Sequence, residues 1–138
     1  MDRETLISAL ENEKNDSLMN YTSKKLANES KQMLEELHIA ETEINVLLKK
    51  LYHYRYIDEL NILDEGRYIR WVDLKDAGNI MLNTGAILCK IQFHNDGVYL
   101  LCKTFKSKCF QIKFEEVLVF MKLSQQERVI LSALDYLS

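Results

Sequence analysis

The chain has 138 residues, which suits one compact domain or a small domain with a helical appendage. Hydrophobic residues make up 47% and charged residues 28%, too apolar a mixture for wholesale disorder. The formal net charge of −3 excludes a global basic field or an acidic tail.

Met1-Asp2-Arg3-Glu4 opens on charge with no apolar run behind it, so no secretory signal is expected. No apolar stretch approaches the roughly 20 residues of a membrane-spanning helix. A soluble, intracellular, cytoplasmic protein is the expectation. Cys89, Cys102 and Cys109 form no CxxC and meet no histidine at zinc-finger spacing. They read as buried free thiols, and neither a metal nor another cofactor is expected.

Residues 1–65 contain no glycine, and the chain contains no proline, which predicts a helical front. A first helix is expected from Asp2 to Lys14, with Leu6, Ile7 and Leu10 on one face. Asn12, Asn15, Asp16 and Ser17 then interrupt it, suiting a helix end or a cap. A second helix is expected from Ser17 or Thr22 to about Leu60. Its seam is Met19, Leu26, Met33, Leu37, Ala40, Ile44, Leu47, Leu51 and Tyr54, spaced as in a coiled coil from Met33 onward. A helix near 40 residues is roughly 60 Å long. A back half of about 75 residues is too small to sheathe it. Met33, Leu37, Ala40, Ile44, Leu47, Leu51 and Tyr54 are therefore the expected self-association or partner-binding residues. The expected partner is a second copy or another helical protein.

The period changes after residue 61. Arg67 to Leu74 reads as a strand, with Arg67, Ile69 and Trp71 on one face and Tyr68, Arg70 and Val72 on the other. Turns follow at Lys75–Asn79 and Asn83–Gly85. Further strands are expected at Ala86–Phe93, Val98–Thr104, Cys109–Phe114 and Val117–Lys122. His94-Asn95-Asp96-Gly97 predicts a hairpin. Pairing His94 with Gly97 puts Ile91 across from Leu100 and Cys89 across from Cys102. Ser124-Gln125-Gln126-Glu127 is a capping box, opening a helix over 124–137. The fold class is thus α+β. A long helix or helical hairpin (residues 1–61) precedes a five-stranded antiparallel sheet or SH3-like barrel closed by a C-terminal helix (residues 62–138).

Few motifs carry chemistry. Glu35 and His38 have the spacing of one di-iron helix, but His53 lacks a matching glutamate, so solvated residues are the better reading. Tyr52 to Tyr56 is an aromatic cluster that suits either a ligand or the packing of a helix end. Lys103, Phe105, Lys106 and Lys108 interleave cations and aromatics at a hairpin tip, the chemistry that grips a phosphate backbone and stacks bases. No nucleophile–base set or phosphate-cradling glycine loop is visible.

Gly66–Trp71, Asn83–Gly85 and Phe120–Glu127 together resemble small uncharacterised proteins encoded by large DNA viruses, over residues 62–138. The resemblance implies an accessory or structural protein, with the virion as a second location, and no catalytic residues. The sequence therefore predicts a non-enzymatic interaction or structural protein. It assembles through its helical seam and presents a β-rich binding domain. The alternative is a nucleic-acid-binding adaptor using Lys103–Lys108, and nucleic acid is not the favoured partner.

Overall fold

A computed structural model describes residues 3–76 and 78–138. Asp2, the expected helix start, and Ala77, within the expected Lys75–Asn79 turn, lie outside the described residues.

The front half is helical but broken. It comprises α1 (Arg3–Glu11), a 3₁₀ segment (Glu13–Leu18), α2 (Ser23–Glu35) and α3 (Glu41–Lys50), followed by strand β1 (Tyr54–Ile57). The side chain of Asn12 caps the 3₁₀ segment and that of Thr22 caps α2. The expected continuous helix to Leu60 is thus corrected to helix, turn, helix and strand. The chain leaves the helical path at His38 (φ 56°) and again at His53 (φ 72°), both without glycine.

The seam is real, but its cover is the chain itself. Leu34, Ile44, Leu47 and Leu51 are buried with Val72, Leu118 and Phe120 from the sheet. Met33, Leu37 and Tyr54 pack around them half-buried, and Ala40 is exposed at the start of α3. Folding back at His38 lets both halves of one stripe meet the same sheet face. The demand for an outside partner along Met33–Tyr54 is met within the chain.

The remaining elements are β2 (Tyr68–Asp73), β3 (Ala86–His94), β4 (Gly97–Lys103), β5 (Cys109–Lys113), β6 (Val117–Lys122) and α4 (Gln125–Leu137). The strands form one open antiparallel sheet in the order β1-β6-β2-β3-β4-β5. This corrects the expected five strands and the SH3-like closed barrel. The sixth strand comes from the front half, where β1 pairs with β6 from Tyr54↔Lys122 to Ile57↔Val119. The sheet is nevertheless strongly curled. Trp71 on β2 and Phe110 on β5 lie three strand spacings apart, about 14 Å in a flat sheet. Their ring centroids are 5.5 Å apart.

The concave face holds Ile57, Ile69, Trp71, Leu88, Leu100, Val119 and Met121, and Leu60 to Leu63 cross over it. The convex face is covered by α2 and α3 over β1, β6 and β2. The capping box of α4 forms as expected: Glu127 N donates to Ser124 Oγ (3.1 Å) and Ser124 N to Glu127 Oε1 (2.8 Å). The helix packs on α1 and the 3₁₀ segment, around Ala9, Leu18, Leu26, Ile130 and Leu131. Arg67 ties it to the sheet by donating to buried Glu127.

The β3–β4 register runs as expected from His94↔Gly97 to Lys90↔Leu101. It then shifts at a bulge, and Leu88 rather than Cys89 faces Cys102. Leu88 and Ile91 are three residues apart and would face opposite sides in a regular strand. The extra residue, Cys89, lets both face the concave core. Cys89 is exposed and Cys102 is buried, so the expected cross-strand pair is absent.

Burial pushes the Cys102 thiol up to about 12. Thiol titration of the native protein at mildly alkaline pH should label Cys89 and Cys109 quickly, and Cys102 only on unfolding. Ile44→Ala should destabilise the chain by about 2–4 kcal/mol, with a melting temperature independent of protein concentration. A concentration-dependent melt would put Ile44 between copies.

Candidate nucleic-acid interface on the outer sheet

The helices cover only one half of the convex face. On β3, β4 and β5 that face carries Ile87, Lys90, Tyr99, Leu101, Lys103, Cys109, Gln111 and Lys113. Its rows follow from the register: Ile87↔Lys103↔Cys109, Lys90↔Leu101↔Gln111 and Gln92↔Tyr99↔Lys113. β4 is seven residues long, so the bare surface extends about 23 Å along the strand and about 10 Å across.

At one end the β4–β5 turn projects. Thr104 N donates to the Lys108 carbonyl (2.9 Å) and Ser107 N to the Thr104 carbonyl (2.9 Å), while Lys108 N donates to Thr104 Oγ1 (3.1 Å). Ser107 takes φ 64° to close the turn. These bonds fix the backbone and send the two phenylalanines in opposite directions. Phe110, directly across from Cys102, turns inward onto Trp71. Phe105 is wholly exposed, at 101%. Lys103, Lys106 and Lys108 are exposed around it. All four expected contact residues are therefore gathered at one tip.

Lys90 is exposed on the same face, directly across from Leu101 on the next strand. Among the described residues no carboxylate pairs with Lys90, Lys103, Lys106 or Lys108; the ion-paired cations are Arg67, Lys75 and Lys113. Residues 86–113 contain five lysines and one carboxylate, a net of +4. The rest of the chain holds 13 basic and 20 acidic residues, a net of −7. That carboxylate, Asp96, accepts from Tyr99 Oη (2.7 Å), which holds its carboxyl below the usual range. This charge window is the signal in the sequence that sets Lys90 and Lys113 beside the hairpin tip.

Of the Tyr52–Tyr56 cluster, Tyr52 is exposed, while Arg55 and Tyr56 pack inside the fold. Tyr56 lies 5.7 Å from the Phe120 ring, and Arg55 is buried over Tyr21 with a hydrogen bond to Ser17. Arg70 Nε donates to the Asn83 carbonyl (2.8 Å) at the sheet rim. Glu35 and His38 are exposed at the end of α2, and no three potential metal ligands converge among the described residues. Among the described residues no helix is long and apolar enough to cross a membrane. No family model, curated protein or solved structure matches the chain.

Phe105→Ala should leave thermal stability within about 0.5 kcal/mol of the parent, as for an exposed side chain. Phe110→Ala should cost about 3 kcal/mol through the lost contact with Trp71. Chemical denaturation of both variants checks the assignment, and equal losses would refute it.

Proposed function

We propose that this protein is a non-enzymatic binding protein that holds single-stranded nucleic acid on the outer face of β3–β5. The reading is carried by Phe105, a fully exposed aromatic ring held at a turn among lysines that no carboxylate among the described residues pairs with. An exposed phenylalanine leaves apolar surface in water, a cost recovered when a base stacks on it. The lysines supply the complementary term. Each phosphate that they neutralise releases a condensed counterion, which favours binding at low salt.

The shape supports a single strand rather than a duplex. The face is a shallow strip with one projecting tip, and no helix from the fold stands above it to enter a major groove. Its length suits a strand of about four nucleotides. Assembly through the helical seam, the other reading of the sequence, loses its motive because Ile44, Leu47 and Leu51 are buried against the sheet.

Anisotropy with a labelled oligothymidylate tests the reading. Four lysine contacts give a slope of log K against log salt near −3, at about −0.7 per phosphate. Replacing Lys103, Lys106 and Lys108 together by glutamine should bring the slope to about −1. Phe105→Ala should cost about 1–3 kcal/mol with the slope unchanged. Equal affinity for parent and triple variant would overturn the proposal.

A further inference from the structure

Away from β3–β5, a groove of about 840 Å³ opens between α2, α4 and the corner that joins α3 to β1. Its volume lies in the range of small-molecule sites. The floor is apolar, built from Leu26, Leu51 and Leu131, all buried. α2 and α4 form its sides. Ser23 N and Oγ both donate to the Asp135 carboxylate (2.8 and 2.6 Å), closing one end. From Gln125 to Asp135 the wall is about 15 Å long, at 1.5 Å per residue.

The opposite end is cationic. His53 and Arg128 both line it, and Lys122 stands close enough to act on the His53 ring. His53 is held at φ 72° by the corner, with its carbonyl accepting from Leu123 N (2.8 Å) and its ring 4.0 Å from Tyr52. A left-handed histidine costs backbone energy, and such strain gathers at ligand sites. Burial and the charges of Arg128 and Lys122 hold its pKa below the usual histidine range.

We propose that this groove binds an amphipathic monoanion, an acyl carboxylate, with its head at His53 and Arg128 and its chain over Leu26, Leu51 and Leu131. The asymmetry of the groove sets the direction. A carboxylate is attracted to the cationic end and repelled by Asp135 at the other, while the slot between removes the chain from water. The head takes its hydrogen bonds from the Arg128 guanidinium and the imidazole N–H. A neutral amphiphile of equal length gains only the apolar contribution.

The probe is decanoate, titrated by calorimetry against the full chain, with octyl glucoside as the neutral comparison. Decanoate should bind at one site, at least about tenfold more tightly than octyl glucoside. Arg128→Ala should weaken decanoate about tenfold and leave octyl glucoside unchanged. Ala27 and Ser132 are exposed on the two walls, so Ala27→Trp or Ser132→Trp fills the slot without disturbing the core. Each should abolish decanoate binding while retaining the parent melting temperature and oligothymidylate affinity. Absence of decanoate binding, equal binding of the two amphiphiles, or decanoate binding that survives both tryptophan variants would overturn the proposal. None of these results bears on the cationic sheet face.

Discussion

Strand β6 is flanked by β1 and β2, and its four central residues have no solvent side. Val119 and Met121 enter the concave core, whereas Leu118 and Phe120 enter the core beneath the helices. Successive side chains on a strand point to opposite faces, so a buried strand needs apolar residues at every position. Leu118-Val119-Phe120-Met121 meets that need, and all four side chains are buried. The rest follows from placing this strand at the junction. β1 and β2 must flank it, and a second layer must cover Leu118 and Phe120. The broken seam of α2 and α3 is that layer.

The same constraint explains why one half of the convex face is bare. Apolar cover is drawn to β1, β6 and β2, where Val72, Leu118 and Phe120 require it. On β3, β4 and β5 the outward positions are Lys90, Lys103, Gln111 and Lys113 among a few apolar residues, and no layer sits on them. The curl brings Phe110 and Trp71 together and draws the concave side of these strands into one core. The cationic surface is thus the outer skin of a sheet whose other side is fully used. A cationic face of this kind needs no separate scaffold, because the strands that build the core also fix the spacing of the lysines.

Much of this was legible from residues alone. The β3–β4 hairpin, its register near the turn, the alternation of β2 and the capping box each depend on local chemistry, and each formed. The long helix failed for a specific reason. Periodic apolar spacing reports which side chains are buried, not what buries them. Met33, Leu34 and Leu37 on one side of His38 and Ile44, Leu47 and Leu51 on the other keep a continuous phase, so the turn between them leaves no mark. His38 and His53 bend the chain without glycine, against the usual expectation for φ above zero. The strand at Tyr54–Ile57 shows only in the alternation of buried Arg55 and Ile57, and four residues are too few to outweigh the helical phase. The Cys89 bulge left no such mark, because Ile87, Cys89, Ile91 and Phe93 keep an unbroken apolar alternation in the sequence. The opposite fates of Phe105 and Phe110 follow from carrying the β4 register through to Cys102↔Phe110.

Charge gives the clearest case of information lost by averaging. A chain of net charge −3 looks unsuited to a polyanion, and the total would be decisive if charges acted over the whole molecule. At physiological ionic strength the Debye length is about 8 Å, so exposed charges beyond it are largely screened. Across the strands the bare strip is about 10 Å wide, a little over one screening length. Carboxylates on α2 and α3 stand over the other half of the sheet and are weakly felt at Lys103, Lys106 and Lys108. What a nearby polyanion would meet is Lys90, Lys103, Lys106 and Lys108 around an exposed aromatic ring, with Lys113 already ion-paired to Glu116. The −7 of the remaining chain acts at longer range as a penalty that grows as salt is lowered. The two contributions oppose each other, so the charge pattern would hold a polyanion by local contacts rather than by broad electrostatic capture.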